Sequence, residues 1–527
     1  MPDRFEKHAR TVTLLTFLSR ITGLARDAAL SRVFGAGPLM SAFFFAFMIP
    51  NLFRRLFGEG ALSAAFLPIY ARLRESDPVR SRAFASLTIA WLAIGLGSLT
   101  LAAEAVILLV ASRGGEDHLV MWLTAVMLPY MPMVCLVAVL GAMLQVRGRF
   151  GPTAASPVIL NLSITAATIL LLPLFDSGAA ADARRHTVLI SLSVLIAGAL
   201  QLGWTMLALR DEPWWTRDRR SARSEGRAMM TLAGPMILSL GVLQLNTFVD
   251  GLIASYPVTF STDTIFGWPY PLDEGAMAVV SFAQRLYQFP LGVFGIAIAT
   301  AIFPLLSKQS DDEKAFVTTL RRGLRLVVFI GLPASIGLIM IQRPLTAVIY
   351  EGGEFSTAET ARVAAVLAGY APAIWAYSMT HVLTRAFYAR GNSLGPMRIA
   401  LAVVLLNLIL NCTLIWFLRE AGLAWSTAVC AILQVMALLL LLRRQLPGVI
   451  DASVRLSWIR SVIATAVMAG ILIGIDRTMP APLAWREHLL HLFVLVAGGA
   501  VVVAFLAITF RMPEFRWALG GRVRDGE

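Results

Sequence analysis

Long apolar stretches separated by short polar turns run along most of the chain. Crossing the roughly 30 Å hydrocarbon core of a bilayer takes about 20 apolar residues in a helix. Runs such as residues 188–209 reach this length and exceed the alternating strands of outer-membrane barrels, which have roughly ten residues. The pattern predicts an all-α integral membrane protein of about fourteen transmembrane helices, near residues 9–35, 38–72, 80–111, 118–147, 151–174, 187–210, 227–255, 275–307, 314–342, 358–390, 394–418, 421–444, 455–475 and 487–510.

The composition agrees with this class. Of the 527 residues, 57% are hydrophobic and only 15% are charged, and the mean hydropathy is +0.73, whereas soluble domains have about 25% charged residues. The spans leave no room for a soluble domain of ordinary size. Cys135, Cys412 and Cys430 all lie in apolar runs without the spacing of a disulfide framework or a zinc site, so we expect them to be core residues.

The net charge of +13 reflects topology. The basic residues lie mostly in alternate loops, and the opposite loops carry more acids, with Arg184 and Arg185 as an exception. By the positive-inside rule the basic loops and both termini are cytoplasmic. The charge therefore predicts contact with anionic membrane lipids and no nucleic acid partner.

A weak internal repeat divides the chain. The sequence RGRFGP at residues 147–152, followed by Asn161, recurs as RGNSLGP at 390–396, followed by Asn407. The repeat predicts an N-terminal lobe of six helices at residues 1–220 and a C-terminal lobe of six at 221–445, with two appended helices and a cytoplasmic tail at 446–527. Two repeated lobes are typical of alternating-access transporters.

Charged side chains at membrane depth are costly, so each indicates a function unless it pairs or reaches the interface. Arginines outnumber acids in the first, second and eighth predicted helices, and a local excess of positive charge favours an anionic ligand. Guanidinium groups bind phosphate through two parallel hydrogen bonds, so we expect a phosphate or diphosphate on a molecule that enters from the membrane. The residues concerned are Arg20, Arg26, Asp27, Arg54, Glu59 and Arg285.

The chain resembles the MurJ (MviN) lipid II flippase family of the multidrug/oligosaccharidyl-lipid/polysaccharide exporter superfamily from about residue 10 to 510. The motifs that carry the resemblance are SRxxGxxRD at 19–27, FGAG at 34–37, AFF at 42–44, PNLxRRxxxEGA at 50–61, RLxxFPxG at 285–292 and FYAR at 387–390. The resemblance implies a fourteen-helix flippase of the bacterial inner membrane. It would carry undecaprenyl-diphosphate-linked peptidoglycan precursor from the inner to the outer leaflet for cell wall biogenesis and cell shape.

The resemblance also implies roles for single residues. Arg26, Arg54 and Arg285 would contact the diphosphate, supported by Arg20, Asp27 and Glu59. The appended helices resemble the part of the family that forms a lipid-facing groove for the polyprenyl tail.

Two positions depart from the family pattern. Ser41 stands where the family usually has aspartate, and Gln284 stands where it often has aspartate. The loss of two acids predicts altered gating on the outer side. The outer loop at residues 256–275 is also longer than usual, and it is either a lid or an exposed insertion.

A second group of oxygen-bearing residues lies in otherwise apolar runs. Asp250, Asn407, Asn411 and Thr427 form a candidate cation site for sodium, with Asp250 the best single candidate, although hydrogen bonding between helices by Asn and Thr explains the last three as well. His488 and His491 lack a nearby acid or cysteine cluster in the sequence, so we expect no other metal site there.

The predicted activity is transport and not catalysis. The sequence has no Walker A, HExxH or nucleophile-elbow motif, so a membrane potential, an ion gradient or consumption of the substrate outside would supply the energy. Three alternatives stay open: a flippase for another polyprenyl-diphosphate oligosaccharide, a multidrug antiporter, and a non-transporting pseudo-flippase scaffold that recruits cell-wall synthesis proteins. An excess of arginines argues against an exporter of organic cations.

Overall fold

The computed structural model describes residues 2–58, 61–112, 119–175, 180–211 and 213–519. Within these ranges the protein is almost entirely α-helical, which confirms the predicted class. Eleven helical segments of the described chain are long and apolar enough to cross a membrane. Each of the fourteen predicted segments coincides with one helix or with two or three consecutive ones. The number of spans therefore stays a prediction.

Contacts divide the chain into two compact units, residues 1–278 and 279–527. The helix predicted to begin the second lobe packs within the first unit, against the helices at residues 38–53 and 61–76. The predicted lobe boundaries at residues 220 and 445 were drawn from the sequence repeat and not from contacts, so they stay a prediction.

The first unit contains nine helices in the described residues, a π-helical turn at Arg54–Gly58, two short 3₁₀ turns at Leu172–Leu174 and Arg220–Ala222, and one hairpin. The elements are α1 Pro2–Phe34, α2 Pro38–Phe53, α3 Ala61–Ser76, α4 Pro78–Ala111, α5 Leu119–Met127, α6 Tyr130–Val146, α7 Gly151–Leu170, α8 Ala180–Ala208, α9 Arg223–Phe260, β1 Thr264–Ile265 and β2 Trp268–Pro269.

The second unit begins within α10, whose first turn belongs to the first unit, and contains a second π-helical turn at Leu291–Gly295. Its helices are α10 Ala276–Pro290, α11 Ile296–Lys308, α12 Glu313–Tyr350, α13 Thr357–Tyr370, α14 Ala373–Ala389, α15 Leu394–Leu418, α16 Glu420–Gln445, α17 Ala452–Thr478, α18 Trp485–Thr509 and α19 Pro513–Ala518.

Prolines break helices at comparable places in both units. Pro290 in α10 lies directly before one π-helical turn, and Pro50 in α2 lies four residues before the start of the other. Pro129 separates α5 from α6, and Pro372 separates α13 from α14. Proline has no N–H to donate and clashes with the preceding turn, which explains these breaks inside segments that the hydrophobic pattern predicts as continuous. The matching breaks support the internal repeat.

The repeated turn, which the sequence predicts to be cytoplasmic, has the same backbone geometry in both copies. Gly148 and Gly391 have φ of 73° and 72°, in the left-handed region that favours glycine. In each copy the residue after the glycine donates its N–H to a carbonyl five residues back, Arg149 to Leu144 at 2.9 Å and Asn392 to Phe387 at 3.0 Å. Both turns therefore close their helices with the same C-terminal cap.

Exposed charged residues connect neighbouring helix ends. Arg149 donates to the Ala208 carbonyl at 2.7 Å and pairs with Asp211 at 2.5 Å. The hydrogen bond and the charge of Arg149 lower the pKa of Asp211.

Asp451 caps α17 from just outside the helix and pairs with Arg321 of α12 at 3.1 Å. Partial burial pushes the pKa of Asp451 up. The hydrogen bonds from Val454 and Ser453 and the charge of Arg321 outweigh that effect, so the pKa is lowered.

The long outer loop is an ordered hairpin. β1 and β2 pair antiparallel through a two-residue turn, Phe266–Gly267, in which both residues have positive φ. Tyr270 donates to the Ile253 carbonyl at 2.8 Å and lies against Tyr256, with ring centroids 4.6 Å apart. The hairpin is therefore fixed to the end of α9. This geometry fits an exposed insertion, because Phe266 at the turn is 96% exposed.

The lipid-facing surface explains one error of the sequence analysis. Cys135 and Cys430 are buried as expected, but Cys412 is exposed. Its helix, α15, also exposes Leu405, Ile409 and Trp416. In a membrane protein, apolar residues face lipid as readily as the protein interior, so an apolar run does not identify the core.

Candidate functional site

The charged residues of α1 form a buried network with α7. The Nε and Nη2 atoms of Arg26 donate to Asp27 Oδ1 at 2.8 and 2.6 Å, and its Nη1 atom donates to Asn161 Oδ1 at 3.2 Å. Arg26 and Asp27 are 5% and 2% exposed. Asn161 also donates to the Ser19 carbonyl and to the Thr22 hydroxyl, at 3.1 and 3.2 Å. The network fixes α7 to two turns of α1.

In the first unit, this network gives a structural role to Asn161, the asparagine that follows the repeated turn. The guanidinium group of Arg26 bonds to the carboxylate of the next residue, Asp27, through its Nε and Nη2 atoms, and to Asn161 through its Nη1 atom. The supporting role of Asp27 and the contact of Arg26 with a diphosphate both stay predictions.

Arg54 is the first residue of the π-helical turn that follows α2. Its Nε atom donates to Asn51 Oδ1 at 2.8 Å, one turn earlier. Arg54 is half-buried, as is Arg20 on α1. π-Helical turns are rare and occur frequently at functional sites, since the extra residue re-aims the side chains around it. The predicted supporting residue Glu59 lies outside the described residues.

Arg285 lies on α10, five residues before Pro290 and the second π-helical turn. It is half-buried. Its neighbour Gln284 donates to the Tyr370 hydroxyl at 3.1 Å, and Tyr287 stacks on the Tyr370 ring with centroids 4.7 Å apart. These contacts with the end of α13 fix the rotation of α10 on both sides of Arg285. Gln284, where the family often has an acid, thus has a structural partner.

Ser41 also has a partner. The buried Ser41 hydroxyl accepts the N–H of Ala278 in the first turn of α10 at 3.0 Å. A serine oxygen caps a helix N-terminus as an aspartate would. A Cβ at Gly275 would lie 2.5 Å from the Ala36 carbonyl oxygen, so the close approach of this segment to the turn between α1 and α2 requires glycine.

The candidate cation residues divide between the two units. Asp250 on α9 is 7% exposed, and its Oδ2 atom accepts from Asn246 at 3.5 Å. In the second unit Asn411 donates to Asn407 Oδ1 at 3.1 Å, and Asn407 donates to the Ser426 hydroxyl at 3.3 Å. Ser426 in turn donates to Asn411 Oδ1.

The two asparagines and Ser426 therefore close a ring of hydrogen bonds between α15 and α16. Thr427 faces its own helix and donates to the Leu423 carbonyl at 2.9 Å. The geometry fits the interhelical hydrogen bonding that the sequence analysis kept as the alternative. In the part of the chain that the structure describes, no group of three or more His, Cys, Asp or Glu side chains could hold a metal ion. A sodium site stays a prediction.

Two side-chain contacts in the second unit join residues that the sequence pattern does not connect. His491 on α18 contacts Asp476 Oδ1 on α17 at 2.9 Å. One carboxylate beside one histidine is fewer ligands than a zinc site has, and the absence of a metal site at the histidines stays a prediction. Glu514 on α19 is 1% exposed and accepts from Arg325 Nε and Ser457 Oγ, both at 2.6 Å. α19 is a short helix after the last apolar run, and nothing in its sequence indicates a buried carboxylate. Both partners of Glu514 lie far from it in the sequence.

The fold is shared with solved membrane proteins. Across 84% of this chain, the structure is similar to an inward-facing multidrug resistance MATE family transporter of the MOP superfamily, with a TM-score of 0.65 and 13% identity. It is more similar to a solved lipid II flippase MurJ in the inward closed conformation. That match has a TM-score of 0.77 and 22% identity, and covers 95% of this chain and 98% of the other. The chain is a multi-pass helical membrane protein of this fold.

Sequence comparison identifies the family. The family described as lipid II flippase MurJ matches residues 30–494. A probable lipid II flippase MurJ of Vibrio cholerae is 30% identical over 99% of this chain and 97% of its own length. The protein of the same name from Rhizobium tropici is 31% identical over 94% and 93%, and the lipid II flippase MurJ of Burkholderia cenocepacia is 29% identical over 97% and 96%. The chain belongs to the MurJ lipid II flippase family.

Proposed function

We propose that this protein is a lipid II flippase that moves undecaprenyl-diphosphate-linked peptidoglycan precursor from the inner to the outer leaflet of the bacterial inner membrane. The observation that carries the proposal is the family match over residues 30–494 of a chain that also has the fold of a solved MurJ. The protein acts as a transporter and makes or breaks no covalent bond.

Alternating access is the mechanism that fits two units with matching helix breaks. The π-helical turns after Pro50 and Pro290 supply points at which α2–α3 and α10–α11 bend, and Gly292 lies inside the second of them. Bending at a turn that is already irregular disrupts fewer backbone hydrogen bonds than bending a regular helix. Each conformational state would expose the bound headgroup to one side of the membrane.

The diphosphate is recognised by arginines next to these bends. We assign Arg54 and Arg285 to direct contact, because each lies within two turns of a π-helical turn and keeps a partly exposed side chain. Arg26 joins them by exchanging its bond to Asn161 for one to phosphate while Asp27 keeps the guanidinium oriented. Arg20 adds positive charge from α1.

Both termini are cytoplasmic in this proposal, because the basic loops alternate along the chain. The same loops bind anionic lipids of the inner leaflet. Cell-wall synthesis proteins are the partners that would consume the flipped precursor.

Coupling to a sodium gradient belongs to the same proposal. Asp250 is the carboxylate of the first unit that would respond to the ion, and Asn407, Asn411 and Thr427 are the neutral oxygen ligands proposed in the second unit. Because Asn407 and Asn411 share a hydrogen-bonded ring with Ser426, ion binding there would have to open that ring. Replacing sodium by potassium in a transport assay tests this part separately from substrate recognition.

The function is tested in a bacterial host depleted of its own lipid II flippase. The host expresses the wild type, Arg285→Ala, or the matched control Arg398→Ala, which removes an exposed arginine from the start of α15. An enzyme that cleaves lipid II, added outside, reports how much precursor has reached the outer face. We expect cleavage with the wild type and the control, and at least tenfold less with Arg285→Ala.

Two results would overturn the proposal. No cleavage with a wild type that is confirmed in the membrane would favour another polyprenyl-diphosphate oligosaccharide as substrate, or a scaffold. Full activity of Arg285→Ala would remove this arginine from substrate recognition.

A further inference from the structure

A cavity of about 830 Å³ lies on the first unit, apart from the arginines discussed above. Its walls come from the first turn of α5, from Phe175 and from the first turns of α8. Trp122 in its wall is 50% exposed, and the side chain of Arg185 is 74% exposed, so the cavity opens to the protein surface. Its size is within the range of ligand pockets, about 300–1,000 Å³.

The lining separates into a charged end and an apolar end. Arg184 and Arg185 lie within two turns of the start of α8, and Val188 and Leu189 lie about one turn deeper along the same helix. Leu119, Trp122 and Phe175 complete the apolar wall. Asp182 pairs with Arg185 at 3.6 Å at the charged end.

The depth of this lining matches a membrane interface. The apolar spans that contain α5 and α8 begin at residues 119 and 181, and the cavity occupies these first turns. The hydrocarbon core begins several ångströms below the headgroup region. The two arginines are therefore at headgroup depth, and the apolar wall points toward the acyl chains.

The walls are held rigidly. His186, one residue after the arginine pair, is 2% exposed and lies between Phe34 and Phe175, with centroid distances of 5.1 and 5.3 Å. Its Nε2 atom is 3.3 Å from the Ala167 carbonyl oxygen. This packing fixes the rotation of α8 and the position of Phe175, so the cavity is formed before anything binds.

The positive charge of Arg184 and Arg185 is unexpected on the side of the membrane where the sequence places them. The loop topology places Arg184 and Arg185 outside, where the positive-inside rule disfavours them. We propose that this cavity binds an anionic phospholipid of the outer leaflet, with the phosphate on Arg184 and Arg185 and an acyl chain along Trp122, Val188 and Leu189. The site is separate from the proposed flippase function and does not depend on it.

The test uses phosphatidylglycerol with a photoreactive group on one acyl chain, added to the full-length protein in phosphatidylcholine nanodiscs. After illumination, peptide mass spectrometry locates the crosslinks. We expect crosslinks to residues 119–122 and 185–189. An arginine near a membrane surface contributes about 1 kcal/mol to binding an anionic lipid, so Arg184→Gln/Arg185→Gln should weaken the apparent affinity about 30-fold.

Control variants separate a specific site from general charge attraction. Arg477→Gln/Arg486→Gln removes two exposed arginines, one from the last turn of α17 and one from the first turn of α18, on the same predicted side, and should leave the crosslinks unchanged. Arg184→Lys/Arg185→Lys keeps the charge and should retain most of the binding. If the double glutamine variant unfolds, the single Arg185→Gln, at a mostly exposed position, should still weaken binding about fivefold.

The proposal is overturned if the glutamine variants crosslink like the wild type, or if photoreactive phosphatidylcholine labels the cavity equally well. Displacement of the lipid by millimolar inorganic phosphate would identify a site for free phosphate instead. Absence of any crosslink at residues 119–122 and 185–189 in the wild type would also contradict the proposal.

Discussion

Replacing Arg26 by alanine should destabilise the first unit strongly, whatever it does to transport. The variant leaves Asp27, 2% exposed, without the guanidinium that donates to it at 2.6 and 2.8 Å, and it removes a bond to Asn161. Breaking a buried ion pair by removing one partner costs about 3–5 kcal/mol. We expect a loss in this range.

A double replacement distinguishes this cause from a general loss of packing. In Arg26→Met/Asp27→Leu, no buried charge is left unpaired, and apolar replacement of a buried pair is often neutral or stabilising. Most of the stability should return, and the coupling energy between the two positions should exceed about 2 kcal/mol. The remaining cost reflects the lost bond to Asn161.

The assay is equilibrium unfolding of the purified protein in mixed micelles with increasing denaturing detergent, followed by tryptophan fluorescence. Arg398→Ala, on the exposed start of α15, serves as the control and should change the free energy of unfolding by less than about 0.5 kcal/mol. If Arg26→Ala costs under about 1 kcal/mol, or if the double variant is as unstable as the sum of the single variants, the buried-pair argument fails.

Three further changes test other parts of the structure. Glu514→Ala should cost about 3 kcal/mol, because Arg325 loses a buried carboxylate at 2.6 Å; limited proteolysis should then cut the C-terminal tail faster. Gly148→Ala and Gly391→Ala should each cost about 1–2 kcal/mol, because φ is near +70° at both positions, and equal losses in thermal stability would show that the two turns are equivalent. Asp451 has a lowered pKa, so its stabilising effect is present above its unfolded value of 3.8 and is lost as the pH falls through the lower folded value; unfolding of the wild type and Asp451→Asn should differ at pH 7 and converge at acidic pH.

The sequence predicts the helical class and the positions of the helices well, because each apolar run must be long enough to cross a bilayer. Local signals predict some details equally well. The recurring pattern, RGRFGP and RGNSLGP, identifies two turns whose glycines share one backbone conformation, Gly148 and Gly391. Pro129 and Pro372 indicate helix breaks within runs that hydropathy alone treats as continuous.

Partners that are distant in sequence cannot be predicted in this way. Arg325 and Glu514 are 189 residues apart, and only tertiary packing brings them into contact. The acid next to His491 is likewise contributed by the preceding helix. The arginine excess indicates an anion, yet the sequence contains no signal that Arg26 is bonded to both its neighbour Asp27 and to Asn161.

Transport by the purified protein tests the central claim most directly. Proteoliposomes carrying fluorescent lipid II in the inner leaflet, with a membrane potential and a sodium gradient imposed, are challenged outside with a lipid II-cleaving enzyme. The account predicts that the wild type and Arg398→Ala expose the label, and that Arg54→Ala/Arg285→Ala does so at least tenfold more slowly while remaining folded. Equal rates for all three proteins, or no exposure above protein-free vesicles, would contradict the claim that this chain flips lipid II through its arginines.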